Sequence, residues 1–221
     1  MRSDAARSVA VTAGVVGVLF SVVVWLGVAN PVPAARISTD RLGPDTGEAV
    51  PEYVDRARTS LTGDDAFPRW ALVSFDTPVT VGALLDAVGD IRVSQVLLRV
   101  PLDRVQTPIV AVPVGADPEA VRRAPAVASA RLSAAVAGDD RQSAVATYSA
   151  ARLSEGCACV VGAVVRATPD RLRPVADGAG VRAVEALPAD AVAGAFAVTP
   201  LLPSQTVVAV PGPDDGPVPG S

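Results

Sequence analysis

The sequence contains no histidine and no lysine; all 19 of its cations are arginine. Without histidine there is no Ser-His-Asp or Cys-His couple and no imidazole metal ligand. Without lysine there is no Schiff-base amine and no Walker-type phosphate loop. Cysteine occurs twice and asparagine once, at Asn30, and aromatic residues make up 4% of the chain. A core must therefore be built from Val, Ala and Leu. No basic run exceeds Arg122-Arg123 and the net charge is −4. Nucleic acid is excluded as a partner on that ground, because phosphate neutralisation needs clustered cations.

What the sequence does hold begins with an uncharged stretch, Ser8 to Ala29 (SVAVTAGVVGVLFSVVVWLGVA). Its residues 9–29, at about 1.5 Å per residue, span roughly 31 Å, close to a bilayer's hydrocarbon thickness. Trp25 falls near the far end, where indole rings favour the interface, and Pro31 and Pro33 follow. Arg2 and Arg7 precede the run and favour a cytoplasmic N-terminus. Residues 1–8 are thus a short cytoplasmic tail, and residues 9–29 a transmembrane helix in contact with the lipid bilayer. The rest of the chain lies outside the cytoplasm. A cleaved signal peptide is the alternative, but the apolar run is long for one.

Residues 30–66 read as a Pro- and Gly-rich tether with one short helix from Glu52 to Leu61. A domain is expected over residues 67–190. Trp70 to Phe75 is a strand, and Thr77-Pro78 opens a helix with Val81, Leu84, Leu85 and Val88 at helical spacing. Val93 to Pro101 is a second strand. Thr107 to Gly115 is a third, pushed to an edge by Pro108 and Pro113. Asp117-Pro118-Glu119 starts an Ala-rich helical insertion (residues 117–155) that Pro125 must kink or split. Gly138-Asp139-Asp140 restarts it and Gly156 stops it. Ala158 to Ala167 is a strand, Thr168-Pro169-Asp170 opens a helix, and Val181 to Leu187 is the last strand. Residues 191–221 read as an extended segment and a disordered Pro/Gly-rich tail.

The two halves echo each other. ALVSFDTP at 71–78 aligns with AVVRATP at 163–169, and each leads through a short helix to a strand. The expected fold class is α+β: a ferredoxin-like split βαβ domain with an Ala-rich helical insertion, preceded by one transmembrane helix. Residues 160–188 resemble the second half of the ferredoxin-like propeptide inhibitor of subtilisin-type proteases. The resemblance rests on the strand Val160–Ala167, the Thr168-Pro169 helix start and Val181-Arg182-Ala183-Val184-Glu185. It implies the fold more than inhibition, since no protease domain follows. The Ala, Val, Arg, Gly and Pro bias suits a GC-rich genome. The layout, including PLLPSQT and DDGPVP near the end, resembles single-pass membrane proteins of actinobacteria, a resemblance that implies location and not activity.

Cys157 and Cys159 are the candidate site residues. Exported thiols tend to oxidise, and on a strand the two side chains would share one face. A disulfide between them, an intermolecular bond, two packed thiols and a redox pair all remain open. Two Cys without His are too few soft ligands for zinc. The acidic pairs Asp64-Asp65, Asp139-Asp140 and Asp214-Asp215 read as caps and solvated turns, and Tyr53, Tyr148 and the Trp residues as packing. No cofactor, metal or catalytic residue is assigned. The expected function is a membrane-anchored interaction or accessory module of the cell envelope, not an enzyme, with an envelope protein or a second copy as partner. The alternative is an extracytoplasmic redox enzyme, or another enzyme, using Cys157 and Cys159.

Overall fold

Apolar residues on both faces of a strand require a cover on both faces, and this requirement organises the structure. The computed structural model describes residues 40–63, 67–138 and 140–219. The expected tail and transmembrane helix, residues 30–39 and 64–66 of the tether, and Asp139 lie outside the described residues. Among the described residues no helix is long and apolar enough to cross a membrane. The elements in chain order are β1 (Arg41–Leu42), α1 (Val50–Ser60), β2 (Arg69–Val79), α2 (Val81–Val88), β3 (Arg92–Leu98), β4 (Val110–Pro113), α3 (Pro118–Arg122), α4 (Ala124–Ala135), α5 (Arg141–Ser154), β5 (Val160–Ala167), α6 (Pro169–Ala176), β6 (Val181–Ala186) and β7 (Ala197–Val198).

The protein is mixed α+β. Five strands form one antiparallel sheet in the order β4-β3-β5-β2-β6, so β5 and β2 are central. The first cover is helical. Ala71, Val73 and Phe75 of β2 and Val93, Val96 and Leu98 of β3 pack with Leu84, Val88, Ala128, Leu132 and Leu172 in the main core. The Ala-rich helices bury one stripe, Ala124, Ala128 and Leu132, at four-residue spacing. Thr80 caps α2 through the Ala83 N–H at 3.2 Å, and Asp117 caps α3 through the Glu119 N–H at 2.9 Å. Pro125 splits the helical insertion into α3 and α4, sitting in the first turn of α4 where its missing N–H costs nothing.

The opposite face carries Leu72, Leu97, Val161, Val164 and Leu187. Its cover comes from the chain on either side of the sheet-forming region, which differs from the expected tether and free tail. Tyr53 and Ala57 of α1 are fully buried, packing with Ala183 and Leu201. Polar anchors fix the end of this helix: the Ser60 hydroxyl accepts from the Ala186 N–H at 2.8 Å, and Arg173 donates to the Leu61 carbonyl at 2.9 Å.

The two flanking segments also join each other. β1 pairs in parallel with β7, and Gly47, Glu48 and Val50 exchange backbone hydrogen bonds with Val207 and Ala209. Gly43 is required at this seam. It has φ +109°, and a Cβ there would lie 1.6 Å from the Thr199 carbonyl oxygen. Beyond it, Pro211 to Val218 forms a strap over the loop that follows β3. The Gly216 N–H donates to the Arg104 carbonyl at 2.8 Å, and Val218 is buried with Val105 and Val145.

Candidate functional site

Cys157 and Cys159 are joined by a disulfide, with Cα atoms 5.3 Å apart. They do not lie on a strand, as the apolar run after Gly156 suggested. Gly156, at φ 79°, ends α5, and the bond closes the turn before β5 begins at Val160. Cys159 is fully buried in the main core and Cys157 is half-buried. Arg152, the nearest cation in sequence, pairs with Glu155 at 2.5 Å. The Cys159 carbonyl accepts from the Arg99 N–H at 2.8 Å, tying the turn to the end of β3.

Asp140 and Asp214 hold backbone N–H groups, and Asp215 holds a side chain. The Asp140 carboxylate caps α5 by accepting from the Ser143 N–H at 2.8 Å, which lowers its pKa. Asp214 accepts from the Gln106 N–H at 3.0 Å and from Arg141 at 3.2 Å, and both donors lower its pKa. Asp215 pairs with Arg104. The last two residues therefore pin the strap. Among the described residues no group of three or more His, Cys, Asp or Glu side chains is placed to hold a metal ion.

A polar cluster that the sequence reading did not single out lies beneath α1. Glu185, on β6 beside Leu72 of β2, is only 5% exposed. It accepts from the Gly43 N–H at 2.5 Å and pairs with Arg56. Arg56 also holds Glu48, at 2.9 Å, and lies over the Tyr53 ring, 5.2 Å from its centroid. Burial raises the Glu185 pKa in spite of these donors, and the Arg56 hydrogen bond holds the Glu48 carboxyl below its usual range. Burial and the Glu185 charge push the Tyr53 hydroxyl up, and neither it nor the Ser74 hydroxyl makes a full hydrogen bond among the described residues. The signal in the sequence was a lone carboxylate within the apolar run VRAVEAL.

Clefts open around the sheet. One, of about 540 Å³, is apolar, walled by Trp70, Leu97, Val164, Phe196 and Val198. Trp70 and Phe196 are in ring contact at 5.8 Å, and the Arg166 guanidinium stands over the Trp70 ring at 5.2 Å. Two others, of about 440 and 400 Å³, share Arg99 and Gly212 and flank the strap. Arg99 is half-buried, and burial lowers its pKa.

No family model matches the chain, and comparison with curated proteins and with solved structures likewise finds no match.

Proposed function

We propose that this chain is a membrane-anchored interaction or accessory module of the cell envelope, with its folded part outside the cytoplasm and no catalytic activity of its own. The observation that carries the reading is the apolar cleft at Trp70 and Phe196. Its walls are aromatic and aliphatic, a surface that recognises a partner by burial and shape. Two further features support the location: the uncharged run at residues 9–29, and the local disulfide, a bond that persists in oxidising compartments.

The same reading takes the sheet as a ferredoxin-like split βαβ. Two β-α-β units, β2-α2-β3 and β5-α6-β6, interleave so that their first strands are central neighbours, and β4 is added at one edge. That arrangement supports the fold implied by the resemblance to protease propeptides. It does not carry inhibition. The actinobacterial origin remains part of the proposal on composition alone.

The test is capture of partners by the full-length protein from host membranes. Ala193 is exposed at the mouth of the apolar cleft, so Ala193→Glu places a charge there without touching the core. A specific envelope protein, or a second copy, should be retained by the wild type and lost in the variant. An identical captured set from both proteins would count against the cleft. A reporter enzyme active only outside the cytoplasm, fused after Ser221, checks the topology; a stable but inactive fusion would overturn it.

A further inference from the structure

A half-buried guanidinium without a counter-charge is costly, because its desolvation is not repaid. Arg99 is in that position. Its Nε donates to the Thr107 carbonyl at 3.1 Å, and no carboxylate among the described residues pairs with it. Its place is fixed from three directions. Its backbone N–H is held by the Cys159 carbonyl at 2.8 Å, its Nε by Thr107, and Thr107 in turn by the Val100 carbonyl at 2.6 Å. The bound Nε orients the guanidinium and leaves its terminal amino groups to a ligand.

The two cavities beside Arg99 differ in charge. The larger also contains Asp103 and Arg104, the latter paired with Asp215 across the strap. The smaller, of about 400 Å³, has Arg99 as its one charged side chain among the described residues. Thr46 and Thr199 line it, and Pro44, Pro108, Ile109 and Leu202 supply apolar wall. A preoriented fork of donors in a pocket with apolar walls suits an anion that carries a hydrocarbon body.

We propose that this smaller cavity binds a small organic carboxylate, with the carboxylate on the Arg99 guanidinium and the apolar body against Pro108 and Ile109. This site is separate from the Trp70 cleft and stands or falls independently of the partner-binding reading. The walls come from the turn after β1, the loop after β3 and the C-terminal segment, so the ligand would bridge the flanking segments across the sheet.

The test uses the full chain in lipid nanodiscs, with benzoate as probe and benzamide and inorganic phosphate as controls. Benzoate should shift the Arg99 Nε–H resonance saturably at millimolar concentration and raise the unfolding temperature. Benzamide should bind at least about tenfold more weakly, the loss of one charge-assisted contact. Arg99→Gln should abolish the response. Because that variant also alters the Thr107 contact, Thr46→Trp provides a second probe. It fills the cavity from an exposed turn and should weaken benzoate by about tenfold or more while leaving the fold intact. No saturable response to benzoate, unchanged affinity in both variants, or phosphate binding with no benzoate binding would each overturn the assignment.

Discussion

Single residues in this protein are mostly legible through what pairs with them, and Glu185 shows how that decides stability. In the folded protein burial raises its pKa above the ordinary glutamate value, so the native state holds the proton more tightly than the unfolded chain. Its contribution is greatest below the unfolded pKa and is lost as pH rises through the folded value. Glu48 behaves in the opposite sense. Its lowered pKa gives stability above the unfolded value that is lost as pH falls through the folded one. Urea unfolding followed across the acid range should therefore show Glu185→Gln losing the fall in stability on the alkaline side of 4.5, the ordinary glutamate value, and Glu48→Gln losing the rise on the acid side. At neutral pH Glu185→Gln should cost little, because an amide still accepts from the Gly43 N–H. Glu185→Ala should cost about 2 kcal/mol, as that buried N–H is left without a partner. Equal losses in both variants would contradict this account. The disulfide makes a different kind of contribution. It closes a loop with a sequence separation of 2, and for so short a loop the chain-entropy model gives about 1.5 kcal/mol. Cys157→Ala with Cys159→Ala should lower stability by roughly that amount, with partner capture unchanged. Normal stability with loss of capture would move the redox reading to first place.

Elements were legible wherever a local signal sufficed. The Asp117-Pro118 start, the Pro125 split, the Gly156 stop and the edge position of Val110–Pro113 all follow from caps, prolines and glycines. Local signals misplaced the first helix of the sheet region. Thr77-Pro78 looks like a helix start, yet β2 runs on to Val79 and Thr80 is the cap. Strand continuation across the sheet outweighed the Pro signal. The tail was least legible, because a Pro/Gly-rich segment without periodicity gives no sign that side chains elsewhere will hold it. Arg104, Gln106 and Arg141 do so, from a loop and a helix far away in sequence. Gly216 is the tightest point of that strap: a Cβ there would lie 2.4 Å from the Asp103 carbonyl oxygen, which is backbone and cannot step aside. Gly216→Ala should therefore release the strap locally. Hydrogen exchange at residues 212–218 should rise to near the unprotected rate while β2 and β5 stay protected. Protection unchanged at Gly216 and its neighbours would show that the loop yields instead.

At the scale of the whole molecule, the sequence pattern located the sheet but not its second cover. Leu72, Leu97, Val161 and Val164 alternate with the main-core residues as a two-sided strand pattern requires. That pattern states that a cover exists without saying which segment supplies it. Residues 67–190 therefore looked self-sufficient, whereas the described residues on both sides belong to the same compact unit as the sheet. The consequence can be weighed. Leu42, Val50, Tyr53, Ala57 and Leu201 are all within 5% of complete burial, and all five fall outside residues 67–190. Removing them exposes the opposing sheet face as well, at about 1.5–3 kcal/mol for each large side chain returned to water. Several such terms are comparable with the roughly 5–15 kcal/mol by which a typical domain is stable. A chain trimmed to residues 40–219 should unfold in one cooperative urea transition, with Trp70 fluorescence and far-ultraviolet circular dichroism coincident. A chain trimmed to residues 67–190 should show a broad or absent transition and expose apolar surface that binds a hydrophobic dye. Addition of residues 40–63 alone should not restore cooperativity, because β1 needs β7 and the Gly47–Val50 stretch needs Val207 and Ala209. Cooperative unfolding of the 67–190 chain at the same midpoint would mean that the flanking segments rest on a face already stable without them.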